Sequence, residues 1–200
     1  WRAQLAGGTG AVPFYKSLLR INPLHPGASH EMVHFYENFK RPALGWPYAD
    51  AYIESSPGIP HPHHMQAHLA TRLGKWSRTS DLSAKAIELE RAYHIFQHVR
   101  PAEDHQFSHH LEILTLSLTH DGRFREAREI QAEAKRAGLK QNAPWYRLHR
   151  AEREWKDAFA IVDQIRKTDK AYGSYLAALL WLDQDQPAAA LPATQLLEVT

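Results

Sequence analysis

A spacing of 34 residues constrains this chain more than any other feature. Moving the sequence by that interval places Pro26 on Pro60, His30 on His64 and His34 on His68. A second alignment, LGKWSRTSDLSAKAIEL with HDGRFREAREIQAEAK, sets Gly74 on Gly122 and Trp76 on Phe124. REWKDAFAIV repeats the aromatic-then-alanine pattern at Trp155 and Ala158. A recurrence of this length is too short for a domain and long enough for one helical hairpin.

The rest of the chain reads as helices separated by Pro, Gly and polar turns. The patterns predict a short helix ended by Pro23, then one opening at Pro26, then one over about 43–53 broken by SSPGIP. Another opens at Pro60 or Pro62 and ends near Gly74, and Asp81 to His98 follows. Further helices are expected at about 103–119, 123–137, 144–153, 155–167, 171–182 and 187–197, and the glycine-rich start reads as a loop. Strand alternation is almost absent. A helix, a Gly-x-aromatic turn and a second helix at a period near 34 is the tetratricopeptide plan. The small residue lets two helices approach and the aromatic fills the space between hairpins. The expected fold is therefore all-α, a right-handed α-solenoid of such hairpins. Residues 1–22 read as the end of a truncated preceding repeat, 23–138 as histidine-rich repeats and 139–200 as C-terminal repeats.

The segments HPGASHEMVHFYE, PHHMQAHLATRLGKW and FSHHLEILTLSLTHDGRFREA resemble a bacterial family of tetratricopeptide-repeat proteins. Its members carry HPGAxHxxxH, a PHxxHMxxHxxxRxGxW-like stretch and a PHNxHF-like helix. The resemblance covers about residues 20–130. It departs at the third motif, where SHHLEIL puts Glu112 in the place of a histidine. It implies the fold and no particular activity.

Histidine is the unusual residue, with 14 in 200 positions. Four pairs stand at i,i+4: His30/His34, His64/His68, His94/His98 and His105/His109. Random placement at that frequency gives about one. On a helix such a pair shares one face and can share one metal ion. Residues one repeat apart occupy equivalent positions on neighbouring first helices, so His30, His34, His64 and His68 are expected to form one four-imidazole cluster in an inner groove. His61, His109 and Glu112 are supplementary ligand candidates, the second alignment setting Glu112 level with His64 and His109 level with His61. Glu37 is a carboxylate within helical reach of His34. Neutral imidazoles with a carboxylate suit a transition metal such as copper, zinc or iron, and not calcium or magnesium. Open coordination positions would support a metal-dependent enzyme.

The competing reading is an interaction scaffold, with structural histidines and a concave groove that takes a protein, a peptide or a small molecule. A third is an acid-responsive module. Outside the quartet, His94/His98 read as a solvated pair, and His105, His110, His120 and His149 as surface or capping residues. His25 reads as a turn residue, and His63 points away from His64. Arg72 is expected to pair with a neighbouring acid such as Glu37, the alternative being an anionic ligand beside the cluster. Trp46, Tyr48 and Tyr52 read as a packing stripe.

Composition narrows the remaining classes. The 24 basic and 22 acidic side chains interleave to a net charge of +2, giving no case for nucleic acid or a membrane surface. No apolar run is long enough to span a bilayer. Cysteine is absent, which excludes disulfides and thiolate metal sites and suits cytoplasm and periplasm alike. No GxSxG, HExxH, P-loop or dinucleotide motif occurs.

Overall fold

The computed structural model describes residues 10–139 and 142–194. These form eleven α-helices and one 3-10 turn, with no strand among the described residues. The helices are α1 (Val12–Ile21), α2 (Pro26–Asn38), α3 (Pro42–Ser55), α4 (Pro60–Arg72), α5 (Trp76–Gln97), α6 (His105–His120), α7 (Phe124–Arg136), α8 (Asn142–Ala151), α9 (Trp155–Arg166), α10 (Lys170–Asp183) and α11 (Pro187–Thr194). The glycine-rich start over 1–9 and the expected helical end past 194 lie outside the described residues. The chain divides into two compact units, one ending at Asp121 and the other beginning at Gly122. No described helix is long and apolar enough to cross a membrane.

Proline sets the helix starts in the first unit. α1, α2, α3 and α4 each carry it in the first two positions, where the missing N–H costs no hydrogen bond. His25 caps α2 by accepting from Ala28 N at 3.1 Å. Asp104 caps α6, accepting from Gln106 N at 2.9 Å and Phe107 N at 3.3 Å. α4 stops at Gly74, whose φ of +67° is a conformation that glycine adopts without strain.

One element departs from the sequence pattern. α5 starts at Trp76, not at Asp81, so WSRTS is helical. Ser and Thr usually favour caps and turns because they compete for backbone partners. Here Thr79 and Ser80 are buried, and Thr79 Oγ1 donates to Lys75 O at 3.1 Å. Small hydroxyl side chains let α5 pack closely on α4.

In the first unit each helix packs on the next, and α4 also touches α2 and α6. Val33, Ala49, Met65 and Leu69 form one core cluster, backed by Trp46, Tyr48 and Tyr52. Ala67, Ala70 and Leu82 form another. Burying a Val, Leu or Met contributes about 1.5–3 kcal/mol each. The apolar positions of α4 are thus committed to the core, which leaves the face toward α2 and α6 to histidine.

The second unit is built around Tyr146, Ala158, Val162, Ile165, Leu176, Ala177 and Leu180. Tyr146 donates its hydroxyl to Leu176 O at 2.9 Å, and burial pushes its pKa up to about 12. Gly173 is required on α10, because a Cβ there would stand 3.0 Å from Arg166 N on α9.

Candidate metal centre

The face shared by α2, α4 and α6 carries six histidines in two groups of three. His30 and His34 of α2 join His61 of α4, with their ligand nitrogens all within 4.8 Å of one another. His64 and His68 of α4 join His109 of α6 under the same limit. Within the groups, His61 Nε2 lies 3.0 Å from His30 Nε2, and His68 Nε2 lies 2.9 Å from His64 Nε2. The rings of His61 and His64 connect the groups, with centroids 5.7 Å apart.

The expected quartet is therefore divided. His30 and His34 stay together, His64 and His68 stay together, and the two pairs take different third members. The reason is register. The residue facing His30 is His61, three positions before its repeat equivalent His64. On α6 the group member is again displaced by three, since His109 and not Glu112 joins His64, although the ring of His110 packs nearer to it. Neighbouring helices are offset along their axes by nearly one turn, so repeat equivalence and contact are different relations. Glu112 lies behind the group, with a carboxylate oxygen 3.8 Å from His109 Nδ1.

Carboxylates stand at the far nitrogens of the rings. Glu37, almost buried, is 3.1 Å from His68 Nδ1 and 3.9 Å from His34 Nδ1. Glu31 is 3.4 Å from His30 Nδ1. This arrangement orients imidazoles for metal ligation, because a proton held on Nδ1 leaves the Nε2 lone pair facing inward. Burial alone would raise the Glu37 pKa. The hydrogen bond from His68, with the charges of His68, Arg72 and His34, outweighs it and holds the carboxyl below its ordinary value. Arg72 donates from Nε to Glu37 at 3.3 Å, the pairing expected for it.

The proton positions follow from these contacts. His68 donates Nδ1–H to Glu37, so in its neutral form its Nε2 accepts, and His64 Nε2 must be the donor. His64 Nδ1 is then left with a lone pair, buried and without a hydrogen-bond partner. His64 is only 2 % exposed. Burial first, and then the neighbouring imidazoles of His68, His110, His109 and His61, push its pKa far down. A buried neutral imidazole with an unused nitrogen is suited to ligation and unsuited to protonation.

Two nearby histidines depart from the sequence reading. His110, expected at the surface, is buried with its ring 4.2 Å from that of His64. Its Nδ1 lies 2.5 Å from Glu90 of α5. His94, expected in a solvated pair, is buried and 2.8 Å from Asp104 Oδ2. Both depend on an acid from another element, which no local pattern reveals. Burial would raise the Asp104 pKa, but the His94 hydrogen bond and the backbone donors of α6 hold it below the usual value. Tyr52, read as packing, also borders the centre, 5.5 Å from His30 by ring centroid.

The other histidines keep simpler roles. His98 and His105 are exposed, and His98 ends α5 in the left-handed conformation. His120 stacks on Trp76 at 4.1 Å. His63 is 3.1 Å from Pro57 O. In the second unit His149, Glu154 and Asp157 also gather. There Arg128 bonds Glu154 and Glu152, so a guanidinium already supplies the positive charge.

Three neutral nitrogens per group leave coordination positions open on a four-coordinate ion. Two ligands of a tetrahedral ion stand about 3.3 Å apart for bonds of about 2.0–2.1 Å. The His30 and His61 nitrogens, 3.0 Å apart, need open only slightly to reach that spacing, and His64 offers its unpartnered Nδ1. A cavity of about 390 Å³ lined by Glu37, Asn38, Lys40, Pro42 and Arg72 adjoins the Glu37 end of the centre. No protein-family model matches this chain, and no curated protein matches it.

Proposed function

We propose that this chain is a tetratricopeptide-like, right-handed α-solenoid whose inner face binds a transition metal and serves as a metal-dependent enzyme. The observation that carries the reading is the group His64, His68 and His109, supplied by two helices with ligand nitrogens within 4.8 Å. The unpartnered His64 Nδ1 and the Glu37 carboxylate behind His68 support it. A neutral, all-nitrogen donor set favours copper, zinc or iron. Three protein ligands leave a position for water or substrate, as in catalytic sites. The consecutive packing of α2 to α6, with α4 also against α2 and α6, supports the repeat reading. A small molecule would reach the centre from the cavity beside Glu37.

Elemental analysis of purified, untagged protein beside a His64→Ala/His68→Ala variant tests this function. Near-stoichiometric copper, zinc or iron that the variant loses is the expected result. Folded wild-type protein that holds no metal and takes up none at micromolar concentration would overturn it. The protein or peptide scaffold, with structural histidines, would then be the better reading.

A further inference from the structure

We infer that the six histidines hold two transition-metal ions as an adjacent pair, one on each group of three, joined by a small oxygen anion derived from water. This rests on the metal-binding reading above and adds the number of ions, their coupling and the class of ligand between them.

The number follows from the division of donors. Each group satisfies the distance limit for one ion by itself, and a structural tetrahedral ion takes only four ligands. One ion on six imidazoles would leave a complete group unused. The adjacency follows from α4. It supplies His61 to one group and His64 and His68 to the other. Three residues along a helix bring the first two onto one face. Their ring centroids are 5.7 Å apart, so the two groups are immediate neighbours along the helix.

Glu37 joins the groups a second time. Its two oxygens serve different sites, Oε1 at 3.1 Å from His68 Nδ1 and Oε2 at 3.9 Å from His34 Nδ1. A shift of α2 against α4 would disturb both ligand sets together. Such sharing is expected of one built centre and not of two unrelated sites.

The bridging ligand follows from charge. The six imidazoles are neutral donors, while two divalent ions bring four positive charges into a partly buried face. The carboxylates of Glu31, Glu37 and Glu112 stand at outer ring nitrogens, behind the ligands. An anion between the ions lowers their repulsion most effectively. Water supplies it: one O–H bond breaks, the oxygen lone pairs bond to both ions, and the proton leaves to solvent. No electron is transferred.

The test is to load the intact protein with copper(II), count copper by elemental analysis and compare it with the integrated electron paramagnetic resonance signal. Two copper ions per chain with most of the signal absent is the expected result, because two hydroxide-bridged ions couple. A His30→Ala/His34→Ala variant, with fold checked by circular dichroism, should hold one copper that is fully visible. A His109→Ala variant provides a second check from the other group and should also lose coupling. Two fully visible coppers in the wild type would overturn the pairing. One copper, unchanged in the His30→Ala/His34→Ala variant, would overturn the second ion while leaving the metal-binding function intact. No copper in folded wild-type protein would overturn both.

Discussion

Glu37 faces His68 across 31 residues of sequence, as His61 faces His30. One register between α2 and α4 therefore sets both a contact between two histidines and the carboxylate that orients a third. Charge and geometry at the centre depend on the same helix pairing.

Replacing Glu37 by Gln keeps the size of the side chain but removes the anion that takes the His68 proton and pairs with Arg72. Loss of such an outer partner weakens metal affinity by about 10–100-fold. Competition against a coloured chelator measures this. Affinity unchanged within twofold would show that His68 needs no carboxylate.

Burial of His64 makes the metal-free protein sensitive to acid. Its folded-state pKa lies below the ordinary value near 6.5, so the unfolded chain binds a proton that the folded chain refuses. Stability is present above about pH 6.5 and falls as pH drops below it, by about 1.4 kcal/mol per unit for this one group. Urea unfolding of chelator-treated protein at pH 7.5, 6.5 and 5.5 gives the slope. It should flatten in a His64→Leu variant that remains folded.

The buried His110–Glu90 pair predicts a strongly non-additive cycle. Glu90→Leu leaves His110 Nδ1 without its acceptor, in a residue only 1 % exposed, at a cost of about 1–3 kcal/mol for the unsatisfied group on top of packing changes. Glu90→Leu/His110→Leu removes both polar partners and should lose less than the two single changes together. Denaturant midpoints of the four proteins decide it, and simple additivity would count against the pairing.

Asp104 joins two tasks that two substitutions can separate. Asp104→Asn retains an oxygen to cap α6 but loses the anion that faces His94, whereas Asp104→Ala loses both. The alanine variant should be the less stable by about 1 kcal/mol, the usual value of a cap. Because the folded Asp104 pKa is lowered, its ionic contribution is present above about pH 4 and lost as pH falls through the lower folded value. Thermal unfolding between pH 7 and 3 should show the wild-type advantage over Asp104→Asn fading at the acid end.

Most helices could be read from the chain because their limits are chemical. Pro26 and Pro60 open helices for lack of an N–H, and Gly74 ends one through its positive φ. The i,i+4 pairs were equally visible, because spacing on one helix is local geometry. What the sequence could not show was how far one helix slides along its neighbour. That offset of three residues gives His61 and His109, only supplementary candidates in the sequence, full places in the groups and leaves Glu112 out of them. His110 and His94 depart from the sequence pattern for a related reason. Their burial is decided by Glu90, 20 residues earlier, and by Asp104 at the start of the next helix.

α4 supplies histidines to both groups, and this has a consequence for how the first unit comes apart. With ions bound, opening α4 through its first two turns would release histidines of both groups, so local opening would carry the full cost of metal loss. Free metal at 100 times its Kd adds about 2.7 kcal/mol per ion to the folded state. Amide hydrogens of α2, α4 and α6 would then exchange with solvent on one common timescale set by metal release. The helix that supplies the centre would also be the bolt that locks its neighbours.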